Sequence, residues 1–122
     1  MAKTIMIVDD STSMRQVVAI ALKGAGYDVL EGTDGEDALS RLKGQKVNLV
    51  ISDVNMPRMD GFDFIKALKQ RPEYRFTPVI MLTTETDESK RQTGKAAGAK
   101  AWVVKPFKPE QLLAAVATLV LP

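Results

Sequence analysis

Short apolar runs alternate along the chain with longer stretches in which apolar residues return every three or four positions. Thr4–Val8, Asp28–Glu31, Val47–Ser52, Val79–Leu82 and Ala101–Val104 have the length and character of strands. The first is apolar from Ile5 through Val8, which predicts a strand covered on both faces. Asp28–Glu31 is short and half polar, as suits an edge. The longer stretches predict helices over Ser13 to about Lys23, about Gly35 to Lys43, just after Asp60 to before Pro72, about Asp87–Ala97, and from Pro109 onward.

End signals agree with the periodicity. Gly24 and Gly26 close the first helix, Asp34 caps the second and Gly44 stops it, and Pro109 stands in the first turn of the fifth. Asp60 with Asp63 three residues on is close to a capping box for the third. Met14, Val17, Val18, Ala21 and Leu22 form the expected buried stripe of helix one, and Leu112, Leu113, Val116, Leu119 and Val120 that of the C-terminal segment. The fourth helix looks weakest. It contains Gly94, and its stripe amounts to Ala96 and Ala97; a mid-helix glycine costs about 1 kcal/mol against alanine. Five β-α units in succession predict a three-layer α/β domain with right-handed crossovers and a parallel sheet.

At 122 residues the chain suits one domain spanning 1–122, and 45% hydrophobic with 26% charged residues predicts a proper core. A net charge of +2 gives no argument for nucleic acid. Without cysteine there is no disulfide and no thiolate chemistry; without histidine there is no histidine triad, no histidine zinc site and no phosphohistidine on this chain. No signal peptide or spanning segment is recognisable, so a cytoplasmic location is expected, with a monomer as the default state.

Polar residues stand just beyond four of the strands: Asp9 and Asp10, Asp53, Thr83, and Lys105. The turn Asn55-Met56-Pro57-Arg58-Met59-Asp60-Gly61 follows Asp53. In a parallel sheet these are carboxyl ends, where ligands bind. Each residue alone has an ordinary reading as a cap, a loop acid or a surface lysine. Together, three carboxylates, a hydroxyl and an ammonium on one edge suit phosphoryl chemistry with a divalent cation. Adjacent acids repel unless a cation joins them. Asp53 is the candidate nucleophile. Asp10 is the candidate direct ligand of Mg2+ (or Mn2+), Asp9 acts mostly through a bound water, and Asn55 offers its carbonyl. Lys105 and the Thr83 hydroxyl would meet the phosphoryl oxygens.

Ile7-Val8-Asp9-Asp10-Ser11 with Arg15, Asp34-Gly35, Asp53 through Gly61, Pro78 through Thr83, and Val104-Lys105-Pro106-Phe107 together resemble a response-regulator receiver domain along the whole chain. The resemblance implies a flavodoxin-like, doubly wound sheet of order 2-1-3-4-5 and a cis Lys105-Pro106 bond. It implies a signalling protein rather than an enzyme, with Asp53 taking a phosphoryl group from a sensor histidine kinase. Asn55 and Glu85 flank the acceptor and tune hydrolysis, and a branched Thr84, where the family usually has a small residue, narrows access.

Within that family the chain is most similar to stand-alone chemotaxis regulators, since it ends at Pro122 directly after helix five. The implied kinase is then a chemotaxis kinase and the implied target the flagellar motor switch. Thr83 would be drawn to the new charge and Trp102 would turn inward from an exposed rotamer. Helix four, strand five and helix five, with Lys90, Arg91, Lys95, Lys100 and Lys108, would present the output face; a solvated basic surface is the plain alternative. A small aspartate-nucleophile phosphatase fits less well, because its nucleophile would follow strand one in an Asp-x-Asp pattern. A nucleotide or flavin module fits less well, because Asp9 through Ser13 lacks the glycines of a phosphate loop. A receiver serving another phosphorelay, or another partner protein, remains the working alternative.

Overall fold

The computed structural model describes residues 2–84 and 88–120, with the backbone alone at Thr83 and Glu88. Strands β1 (Thr4–Val8), β2 (Asp28–Gly32), β3 (Leu49–Ser52), β4 (Val79–Thr83) and β5 (Ala101–Val104) form one parallel sheet in the order 2-1-3-4-5. Helices α1 (Thr12–Gly24), α2 (Gly35–Leu42), α3 (Gly61–Gln70), α4 (Glu88–Ala97) and α5 (Pro109–Leu119) cover it. The expected doubly wound fold, strand order and edge position of β2 are all present.

The strand period of two sorts side chains into two half-cores. Ile5, Ile7, Leu49, Ile51, Ile80 and Leu82 point to the side covered by α1 and α5, where they meet Val18, Leu22, Leu112 and Val116. Met6, Val8, Val50, Val79 and Met81 point to the other side, against Leu42, Phe64, Ile65 and Leu68 of α2 and α3. Parallel strands buried on both faces need apolar residues at every position, which is why β1, β3 and β4 read as unbroken runs.

Several expectations need correction. On α1 the buried residues are Val18, Ala19 and Leu22, whereas Val17 is 51% exposed. The arc is rotated because α1 packs on both the sheet and α5, which brings Ala19 inside and turns Val17 to water. The helix starts at Thr12, with Ser11 accepting from the Met14 N–H. β3 starts at Leu49 rather than Val47, after Asn48 has bonded both the N–H and the carbonyl of Thr4. β2 runs on to Gly32, and α2 stops at Leu42, one residue before Lys43. The predicted start of α4 at Asp87 lies outside the described residues.

Candidate functional site

The β1, β3 and β5 termini bring Asp9, Asp53 and Lys105 together from positions far apart in sequence. Paired register aligns Val8 with Ser52, so the next residues, Asp9 and Asp53, emerge side by side. The Asp53 N–H donates to the Val8 carbonyl at 2.9 Å, which fixes that alignment. Lys105 Nζ lies 3.1 Å from Asp9 Oδ2 and 3.4 Å from Asp53 Oδ2. All three side chains are nearly buried, at 13%, 3% and 12% exposed for Lys105, Asp9 and Asp53. Asp10 is exposed beside them, and the carboxylate oxygens of Asp9, Asp10 and Asp53 lie within 4.8 Å of one another.

The remaining bonds orient the carboxylates. Asp9 Oδ1 accepts from the Ser11 N–H at 2.9 Å, and Asp53 Oδ1 from the Val54 N–H at 2.7 Å. Each acid thus keeps its second oxygen for Lys105. Burial pushes the Asp53 carboxyl above its ordinary value, Lys105 pulls it back, and the neighbouring Asp9 raises it again. Three carboxylates face one ammonium, a hard all-oxygen donor set that suits Mg2+ or Mn2+ better than a soft metal. These residues fit such an ion.

The other expected residues take varied positions. Asn55 is exposed on the loop after Asp53. Thr83 ends β4, in register with Val104, and its side chain lies outside the described residues, as does Glu85. Thr84 is exposed. The Lys105-Pro106 bond is cis. Trp102 differs from expectation. It is half-buried, its ring stacked on Phe62 with centroids 6.4 Å apart and planes at 21°. The cause is Gly94, whose missing side chain leaves room for the indole beneath α4. Lys90, Lys95, Lys100 and Lys108 are exposed, and Arg91, Lys95, Lys100 and Trp102 line an open groove of about 510 Å³.

Two arginines went unread in the sequence. Arg15 donates to the Asp9 carbonyl oxygen at 2.6 Å and pairs with Glu31 at 3.3 Å, bracing the first acid from below. Arg58 reaches across to Asp34. Arg15 stood in the motif without a role; Arg58 carried no signal beyond its place in the turn after Asp53.

Residues 5–117 match the model of the response regulator receiver domain. The chain belongs to the response regulator receiver family. Receiver domains are phosphoacceptor signalling domains rather than enzymes of the ordinary kind; they bind Mg2+ through an acidic pocket and interact with histidine kinases and downstream targets. The receiver resembles the solved structure of the chemotaxis protein CheY4 of Vibrio cholerae, with 47% identity, a TM-score of 0.94 and coverage of 98% of this chain and 99% of that one. It is 37% identical over 110 residues to a chemotaxis protein CheY homolog of Campylobacter jejuni, covering 88% of this chain and 85% of that protein. It is 40% identical over 112 residues to a probable transcriptional regulator, ycf27, of Porphyridium aerugineum. That match covers 92% of this chain but only 45% of the regulator, so the receiver spans less than half of that relative's length. Among the described residues, no helix is long and apolar enough to cross a membrane.

Proposed function

We propose that Asp53 accepts a phosphoryl group from the phosphohistidine of a sensor kinase, and that the α4-β5-α5 face then engages a target protein. The observation that carries this reading is the Lys105 ammonium, lying between Asp9 and Asp53 at 3.1 and 3.4 Å. A cation held there can turn from a carboxylate oxygen to a phosphoryl oxygen with little movement.

Asp53 Oδ2 attacks phosphorus, the P–N bond to the imidazole breaks, and its electron pair stays on the departing nitrogen. The carboxyl must be ionised to attack; Lys105 favours that form, and a bound divalent cation would favour it further. Asp10 and Asp53 would hold the ion directly, Asp9 through a water, and Asn55 by its carbonyl. Mg2+, when bound, neutralises charge on the phosphoryl oxygens. Lys105 takes one of those oxygens, and the Thr83 hydroxyl donates to another. Asn55 would govern the approach of water, with Thr84 narrowing the access, and the family pattern gives Glu85 the same role as Asn55. Movement of Thr83 leaves room into which Trp102 repacks, altering the face that carries Lys90 and Lys100.

The likeness to CheY proteins over nearly the full length of both chains favours chemotaxis, with a chemotaxis kinase as donor and the flagellar motor switch as target. A cytoplasmic location goes with those partners. The ycf27 match favours a second reading, a receiver acting in another phosphorelay or attached to another output. The test is intact mass after incubation with Mg2+ and acetyl phosphate, with Asp53→Asn as control. A single phosphoryl adduct that needs Mg2+ and is lost in the control supports the reading; no adduct in the unaltered protein sinks it.

A further inference from the structure

We infer that Arg58 is a positioning residue for the acidic site, clamping the loop between Asp53 and Gly61 to the N-terminus of α2. The inference rests on the reading of that site as a cation site. The loop begins at Asp53, carries the Asn55 carbonyl and ends where α3 starts. It is closed on itself, with the Gly61 N–H donating to the Val54 carbonyl and the Met59 N–H to the Pro57 carbonyl, both at 2.7 Å. Gly61 packs so tightly that a Cβ there would run into the carbonyl oxygen of Asp53. A shift of this loop therefore reaches the acceptor directly.

At the tip of the loop, Arg58 has φ +67°, the left-handed region that a side chain disfavours. Its anchor explains why it stays. Arg58 Nη2 and Nε donate to Asp34 Oδ2 at 2.5 and 3.1 Å, and Nε also lies 3.3 Å from Glu36 Oε2. Asp34 is itself fixed: it is buried, and its other oxygen caps α2 by accepting from the Asp37 N–H at 2.9 Å. Next to the arginine, Met59 seats over Gly35, where a Cβ would stand 2.8 Å from the methionine sulfur. One ionic contact and one close approach thus tie the loop to a helix end.

The test exploits a difference of sign. Arg58 carries a positive charge on the loop that leaves Asp53, so through charge alone its removal should tighten metal binding. Through positioning, its removal should loosen it. Glycine is the right replacement because it accepts the left-handed backbone without strain. Mn2+ is titrated into the intact protein and the free ion followed by electron paramagnetic resonance. Arg58→Gly should bind about tenfold more weakly, as outer-sphere replacements commonly do. Arg58→Lys should recover most of the loss. Asp34→Asn, which keeps a competent cap, should weaken binding more than the charge control Glu36→Gln, and should add little to Arg58→Gly. Unchanged or tighter binding in folded Arg58→Gly overturns the inference, even if its melting temperature falls. Should that variant not fold, equal effects of Asp34→Asn and Glu36→Gln overturn it instead. Unaltered protein that binds no Mn2+ sinks this inference together with the cation site; protein that binds Mn2+ yet takes no phosphoryl group sinks only the phosphoacceptor reading.

Discussion

Gly94 on α4 and Trp102 on β5 are fitted to each other: a Cβ at position 94 would stand 2.9 Å from indole Cζ3, and 3.2 Å from Cε1 of the Phe62 ring stacked beneath it. Helix propensity alone favours alanine over this glycine by about 1 kcal/mol. The aromatic pair reverses that preference, because both rings are rigid and the stacked pair must shift as a whole to admit a new methyl group. Gly94→Ala should therefore lower the melting temperature by about 3 °C, and in a Trp102→Ala background it should raise it by a similar amount. As Trp102 is the only tryptophan, its emission reports the displacement, with a red shift expected in the single variant. A rise in melting temperature with Trp102 in place would show that the contact does not govern α4.

Asp53→Asn should stabilise the protein while removing the acceptor. Burial and Asp9 hold the folded Asp53 carboxyl above its ordinary value of 3.8, against Lys105. A group whose pKa is raised on folding contributes stability below its unfolded pKa, and that contribution is lost as pH rises through the folded value. At neutral pH, ionised Asp53 therefore works against the fold. Asparagine should raise the melting temperature by about 3–5 °C at neutral pH, with the gain vanishing at about pH 3. Thermal melts across that range check the sign.

Much of this site was legible because a parallel sheet converts sequence order into geometry. An apolar run followed by Asp9, Asp53 or Lys105 puts each residue at the same edge, whatever the distance along the chain. The strands were readable for the same reason, since burial on both faces leaves little choice of residue. Other features depend on contacts with no sequence period. Val17 and Ala19 exchange their expected places because α5 packs alongside α1. Gly94 reads as a weak point until the indole opposite it is seen. Arg58 and Asp34 are 24 residues apart, and only the folded loop makes them a pair.

Lys105→Met should destabilise the protein and slow phosphorylation together. The ammonium bridges two nearly buried carboxylates, so its loss leaves them facing each other uncompensated. Removing one partner of a buried pair costs about 3–5 kcal/mol; residual solvent access here should bring this to about 2–3 kcal/mol. A divalent cation supplies charge at the same place, so millimolar Mg2+ should restore more melting temperature to the variant than it adds to the unaltered protein. Adduct formation from acetyl phosphate at saturating Mg2+ should still fall by at least about tenfold, because the phosphoryl oxygens lose a positioned cation. Equal Mg2+ effects on both proteins would contradict this account.

The groove beside Trp102 provides a test of the output face. Arg91, Lys95 and Lys100 line it, with the indole giving an apolar floor. That combination suits an acidic peptide with an apolar anchor, and rim charges act on association rate and salt dependence more than on the final complex. Reversing Lys95 and Lys100 together to glutamate should weaken binding of an acidic amphipathic peptide by about tenfold at low salt, most of it through slower association. Lys90→Glu, one turn earlier on α4, should have a smaller effect. The difference from unaltered protein should shrink as ionic strength rises through about 0.5 M. The double variant Lys23→Glu with Lys43→Glu, at the ends of α1 and α2, carries the same charge change away from the groove and serves as the control. If it weakens binding as much as the Lys95 and Lys100 pair, the attraction belongs to the net charge of the protein and not to this face.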